Sequence, residues 1–139
     1  MTKSHRITVG PAGPLIQVGL NVGAAQAGSG RGGPPLSRNG LIDTGATRTA
    51  ISDAVLQALQ LSISGSTSYL RPGVPEMLVA KYAMRLNFEG HLSGNPWFDL
   101  EVVVADAASP GVDVLIGMDV LSRLVLFYEG VNGTMVLSY

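Results

Sequence analysis

The sequence predicts an all-β domain with one or two short helices, and three observations carry that prediction. Its 139 residues include 18 Gly and 8 Pro, which punctuate the chain at close intervals. The segments between them are short and alternate apolar with polar residues, as half-buried strands do. Helical periodicity is confined to two brief stretches.

Taken in order, the first strands are expected at Ile7 to Val9 and Leu15 to Val22. The segment Gly23 to Gly40, GAAQAGSGRGGPPLSRNG, is Gly-rich and of low complexity, and its core, 24–38, reads as a mobile surface loop. A strand follows at Leu41 to Thr44. A helix is expected over Ser52 to Gln60, because Ser52 can cap it, Asp53 suits its first turn, and Val55, Leu56 and Leu59 form an apolar stripe.

The clearest strand is Met77 to Phe88, with Tyr82, Met84, Leu86 and Phe88 on one face and Lys81, Arg85 and Asn87 on the other. Trp97 to Ala105 alternates in the same way, and turn residues at 89–90 and 94–96 make the two antiparallel neighbours. Further strands are expected at Val112 to Ile116, Leu124 to Tyr128 and Thr134 to Leu137, with Asn132-Gly133 turning the last pair. A second short helix fits Asp119 to Arg123. Two aliphatic residues followed closely by a Gly occur at 41–45 and again at 115–117, a weak sign of internal duplication.

Composition excludes several function classes. The length suits one globular domain, 1–139, with 46% hydrophobic residues to build its core. A net charge of −1 with only 14% charged residues offers no surface for nucleic acid. No apolar run is long enough to span a membrane, so no membrane partner is expected. Cysteine is absent, which removes thiolate chemistry and Cys-type metal sites and fits a cytoplasmic location. His5 and His91 are far apart in sequence without carboxylates at ligand spacing, so they read as surface or turn residues and no metal is expected. Gly28, Gly30 and Gly33 match G-x-G-x-x-G, but Pro34-Pro35 stand where a dinucleotide site needs a helix. No nucleophile elbow occurs among the serines.

Asp43, in the stretch LIDTGAT at 41–47, has two readings. In one it opens a turn, its carboxylate accepting neighbouring N–H groups while Gly45 supplies a positive φ. In the other it is catalytic. The stretch is followed by VLIGMDVL at 114–121, and together the two resemble the signature elements of retropepsin-like aspartic proteases, the single-domain family that includes the retroviral proteases.

That resemblance implies a closed β-barrel of the acid-protease type, half of a pepsin-like bilobal enzyme, and an aspartic endopeptidase without cofactor acting on peptides. Two carboxylates held about 3 Å apart share one proton and together activate a water and protonate a carbonyl oxygen. The chain has one Asp-Thr-Gly, so the second Asp43 must come from another copy in a homodimer. Asp119, two residues after Gly117, is out of place for the role. Asp43, Thr44 and Gly45 are the catalytic residues implied, Thr44 bonding across the dimer and Gly45 allowing close approach.

The resemblance further places Ala46, Thr47 and Arg48 along the substrate groove, although Thr47 and Arg48 also read as a solvated turn. A flap hairpin is implied over about 66–80, with arms near 66–70 and 77–80 and the tip RPGVPE at 71–76. Leu70, Arg71, Pro72, Gly73 and Val74 would touch substrate there. Tyr69 reads either as a flap tyrosine or as strand packing. Pro72 and Pro75 stiffen this tip relative to the Gly-rich retroviral ones.

Retroviral members carry an Arg where Met118 stands. An Asp119–Arg48 ion pair is the expected replacement, with Gly117 and Asp119 supporting the dimer. The C-terminal hairpin is expected to present an exposed edge and to join the dimer sheet. A different class of function stays open, that of a non-catalytic dimeric peptide-binding or scaffold module on the same fold. So does a β adaptor in which Asp43 only makes a turn.

Overall fold

The computed structural model describes residues 3–105 and 110–139, with only the backbone described for Tyr69, Leu70, Arg71 and Val74. The protein is mostly β with few short helices. Its strands are β1 (Ser4–Thr8), β2 (Leu15–Val22), β3 (Leu36–Ile42), β4 (Ala50–Ile51), β5 (Ile63–Arg71), β6 (Val74–Asn87), β7 (Phe98–Val104), β8 (Val114–Ile116), β9 (Val125–Glu129) and β10 (Thr134–Ser138). Among the described residues, three short α-helices and one π-helical turn (Ala27–Arg31) interrupt them: α1 (Ala24–Gln26), α2 (Asp53–Leu59) and α3 (Met118–Leu121).

Seven strands form one sheet in the order β2-β3-β8-β4-β7-β6-β5, and β2 also pairs with β6, so the sheet curls back on itself. The cause is legible in β2. From Val18 to Val22 every residue is buried, where β2 passes from pairing with β3 (Leu15 to Leu20) to pairing with β6 (Gly19 to Val22). The remaining strands, β1, β10 and β9, make a small second sheet. One hydrophobic cluster runs through both sheets, from Ile7, Met135 and Leu137 to Leu20, Leu86, Val102 and Ile116. Burying side chains of this size contributes about 1.5–3 kcal/mol each, which holds the two sheets together.

The β6–β7 antiparallel pair follows its alternation: Met84, Leu86, Phe88 and Phe98 are buried, and Phe88 meets Phe98 edge-on at 5.9 Å. Helix α2 forms behind Ser52, whose Oγ accepts from the Val55 N–H and donates to Asp113 Oδ1. The two aliphatic motifs meet directly. β3 and β8 lie parallel, with Leu41 beside Leu115 and Ile42 beside Ile116.

Several expectations are corrected. β3 begins at Leu36, inside the Gly-rich stretch, because β2 offers it a partner edge from Leu20 to Leu15. Upstream of it, Ala24–Gln26 and Ala27–Arg31 wind into helical turns rather than open loop, with the Gln26 side chain bonded to Gln60 O and Ser62. The two-residue β4 carries no periodic signal and is specified only by its neighbours β7 and β8.

The C-terminal strand does not present an exposed edge either. β10 is the middle strand of its sheet, covered by β1 on one side and β9 on the other. Finally, His91 is exposed in a bend, as expected of a surface or turn residue, but half-buried His5 lies against it. Their rings stack at 3.9 Å, and burial together with the charge of His91 pushes the His5 imidazole below its usual range.

Candidate active site

Asp43 follows directly from β3, where parallel pairing with β8 ends. Its N–H donates to Ile116 O (2.9 Å), and its C=O accepts from the Ala46 N–H (3.2 Å), which folds residues 43–46 into a tight turn. The carboxylate Oδ1 accepts from the Gly45 N–H at 3.0 Å. The turn chemistry expected of Asp43 is therefore present, but Gly45 has no positive φ. Glycine suits the position for another reason: a Cβ there would lie 3.3 Å from Asp43 Oδ1 and crowd the carboxylate.

The loop is clamped from behind by the segment after β8. Met118 N–H donates to Ala46 O at 2.8 Å. Gly117 N–H donates to Thr49 Oγ1 (3.2 Å), which in turn donates to Asp119 Oδ1 (2.7 Å), while the Thr49 N–H reaches Asp119 Oδ2 (3.0 Å). Asp119 Oδ1 also accepts from the Val120 N–H. Thr49 is fully buried with both its donor and acceptor capacity used, the condition under which a buried hydroxyl stabilises rather than costs.

Gly117 is required by the crossing itself. A Cβ there would meet Arg48 C at 2.7 Å and the carbonyl oxygens of Ala46 and Arg48 at 2.9 Å. The expected Asp119–Arg48 ion pair does not form, because the Asp119 oxygens are committed to Thr49 and Val120. Arg48 Nη1 instead donates to the Glu101 backbone carbonyl at 3.0 Å. Sequence reasoning passed over Thr49, since its role depends on a residue 70 positions away.

Across from this loop, β5 and β6 form a hairpin whose register runs from Ile63↔Tyr82 to Arg71↔Val74. The turn is only Pro72-Gly73, shorter than the six-residue tip expected, with φ +75° at Gly73. Proline followed by a left-handed glycine fits the two central positions of a type II turn. β7 joins β6 only from Tyr82 onward, so the distal hairpin projects as a two-stranded ribbon.

Between ribbon and loop lies a cavity of about 390 Å³, lined by Asp43, Gly45, Ala46, Thr47 and Arg48 on one side, by Thr67, Ser68 and Pro72 on the other, and by Ala50 and Leu115. Thr67, Ser68, Ala50 and Leu115 were not anticipated. Thr44 is exposed and has no hydrogen-bond partner among the described residues, and Gly73 is at the ribbon turn but not among the lining residues. The side-chain contacts expected of Tyr69, Leu70, Arg71 and Val74 lie outside the described residues.

A second cavity, of about 490 Å³, lies beyond Arg48 and is bordered by Met84, Asp99, Glu101, Asp119 and Arg123. It is the larger of the two, but the Asp43 carboxylate opens only into the first. Among the described residues no cluster of His, Cys, Asp and Glu could hold a metal ion, and no helix is long and apolar enough to cross a membrane.

A family model described as gag-polyprotein putative aspartyl protease matches residues 37–123, from the start of β3 to just after α3. Among solved structures the chain is similar to a retropepsin-like aspartic protease from Rickettsia conorii, at 17% identity and a TM-score of 0.60, over 100% of this chain and 92% of that one. It is also similar to an aspartic proteinase from Irpex lacteus, at 17% identity and a TM-score of 0.52, over 99% of this chain and 46% of that one. At such identities these two likenesses speak to the fold. No curated protein matches the sequence.

Proposed function

Because the chain belongs to the gag-polyprotein aspartyl protease family, we propose that it is a homodimeric endopeptidase in which the Asp43 carboxylates of two subunits activate one water. The observation that carries this reading is the position of Asp43, which lines a cleft beneath a projecting hairpin and is held by a loop clamped at both ends. We take residues 1–139 as one domain and the curled sheet as a closed barrel of the acid-protease type, a reading supported by the additional β2–β6 pairing.

A peptide would lie extended in the cleft, between the 43–48 loop and the β5–β6 ribbon, as a strand binds between two walls. One Asp43 carboxylate takes a proton from the water while its protonated twin gives one to the scissile carbonyl oxygen. The resulting tetrahedral diol breaks its C–N bond as the leaving amine takes up a proton, which releases an acid and an amine. No cofactor is required by this chemistry.

Thr44, exposed on the outer side of the turn, is left free to bond across the subunit interface. Strand β9 supports the dimer reading as well: it is a sheet edge whose Val125 and Phe127 are 67% and 60% exposed.

The test is peptide cleavage followed by mass spectrometry, with wild type and Asp43→Asn offered the same peptide mixture from acidic to neutral pH. Cleavage by wild type alone is expected. Mixing equal amounts of the two proteins under free subunit exchange should then lower activity per wild-type chain to about half, since only homodimers of wild type carry two carboxylates. Unchanged activity per wild-type chain would refute the shared site. A folded dimer that cleaves nothing would point instead to a peptide-binding module.

A further inference from the structure

Arg48 forms the wall between the two cavities, facing the Asp43 cleft on one side and the larger cavity on the other. Its backbone is fixed by the crossing over Gly117 and its guanidinium is tethered by one hydrogen bond to Glu101 O. Of the three carboxylates that border the larger cavity with Arg48, Asp119 and Glu101 hold other partners, although the Arg48 charge also acts on Glu101. Asp119 is committed to Thr49 and Val120, and Glu101 accepts from Ser64 Oγ at 2.9 Å and from Lys81 Nζ at 3.2 Å. No carboxylate lies within ion-pair distance of Arg48 among the described residues.

Besides Asp43, Arg48 is the one charged residue lining the Asp43 cleft among those described. A guanidinium with donors to spare on a half-buried residue, five positions along the chain from Asp43 and lining the same cleft, is suited to receive a carboxylate. Resting on the protease reading above, we propose that Arg48 is a specificity-determining residue that selects peptides bearing Asp or Glu within a few residues of the scissile bond. In a two-fold homodimer the second copy would bring its own Arg48 to the shared cleft, so the acidic preference is expected on both sides of that bond.

The test starts from any peptide that the wild type cleaves. Each position within four residues of the cut is varied as Glu, Gln and Lys, and kcat/KM is measured for wild type, Arg48→Gln and Arg48→Glu. The Glu-to-Gln ratio at the Arg48 position should be about 10 for wild type, because a charge-assisted bond replaces a neutral one. It should fall to about 1 in Arg48→Gln, and Arg48→Glu should favour Lys. Each ratio is internal to one enzyme, so a partly folded variant does not distort it. A wild-type ratio near 1 at every position, or a ratio unaltered by Arg48→Gln, overturns the inference while the protease reading stands. Absence of any cleavable peptide removes both.

Discussion

Thr49 shows how much one buried hydroxyl can organise. It accepts from Gly117 and donates to Asp119, so the loop that carries Asp43 and the turn before α3 are fastened through a single side chain. Replacing Thr49 with Val keeps the shape but leaves the Gly117 N–H unpaired and Asp119 one donor short. The expected loss is about 1–3 kcal/mol, read as a lower urea midpoint at unchanged slope. Thr49→Ser, which restores the hydroxyl, should recover most of it. Equal midpoints for the Val and Ser variants would show that the hydroxyl carries no such role. Cleavage should fall with the Val substitution too, because a loosened loop no longer aims the Asp43 carboxylate. Asp43 drew attention as a charge between aliphatic residues and a Thr-Gly turn, and it was the pairing of 41–47 with 114–121, not local chemistry alone, that made it the catalytic candidate. Thr49 was not legible, because nothing local separates it from Thr44 and Thr47.

At the scale of elements, legibility followed whether the signal was carried by the strand or by its partner. β2 and β6–β7 announced themselves through alternation and clear turn residues. β3 was obscured because Ser37, Arg38, Asn39 and Gly40 have weak strand propensity and are held extended by pairing with β2. β4 is too short to show a period at all.

Of the β5–β6 hairpin only the Met77 to Phe88 half was legible from alternation, the other arm following from the family resemblance; its turn was not legible, since RPGVPE offers several turn placements and cross-strand register chose Pro72-Gly73. That turn yields a prediction. Gly73 sits at φ +75°, where a β-branched residue is strained by about 1–2 kcal/mol. From the tip to Tyr82 the ribbon has no third strand among the described residues, so the strain should be absorbed locally and leave the global Tm almost unchanged. Gly73→Val is therefore expected to lower kcat/KM several-fold with little effect on Tm. A large drop in Tm would mean that the ribbon is part of the cooperative core.

At the scale of the molecule, the chain ends close the structure. β1 covers β10, Lys3 N–H donates to Ser93 Oγ and Lys3 Nζ to Gly90 O, and the His5–His91 stack completes the join between the small sheet and the β6–β7 turn. Neither histidine carried a signal in the sequence, because their pairing depends on the N-terminal strand reaching the turn at 89–95. Burial and the neighbouring His91 hold the His5 imidazole below the usual histidine value of about 6.5. Its neutral form is thus favoured by folding, and the unfolded chain binds more protons between the folded value and about 6.5. Stability contributed by this join is fully present above about pH 6.5 and is lost as pH falls through the lowered value. His5→Phe keeps a ring for stacking but cannot take a proton. Thermal unfolding from pH 7.5 down to pH 5 should show wild type losing stability faster than His5→Phe. The carboxylates common to both proteins contribute equally and drop out of the difference. Parallel pH profiles would show that the stack does not sense pH. A steeper fall in wild type would mean that an acidic medium loosens the N-terminal strand from the turn that anchors it.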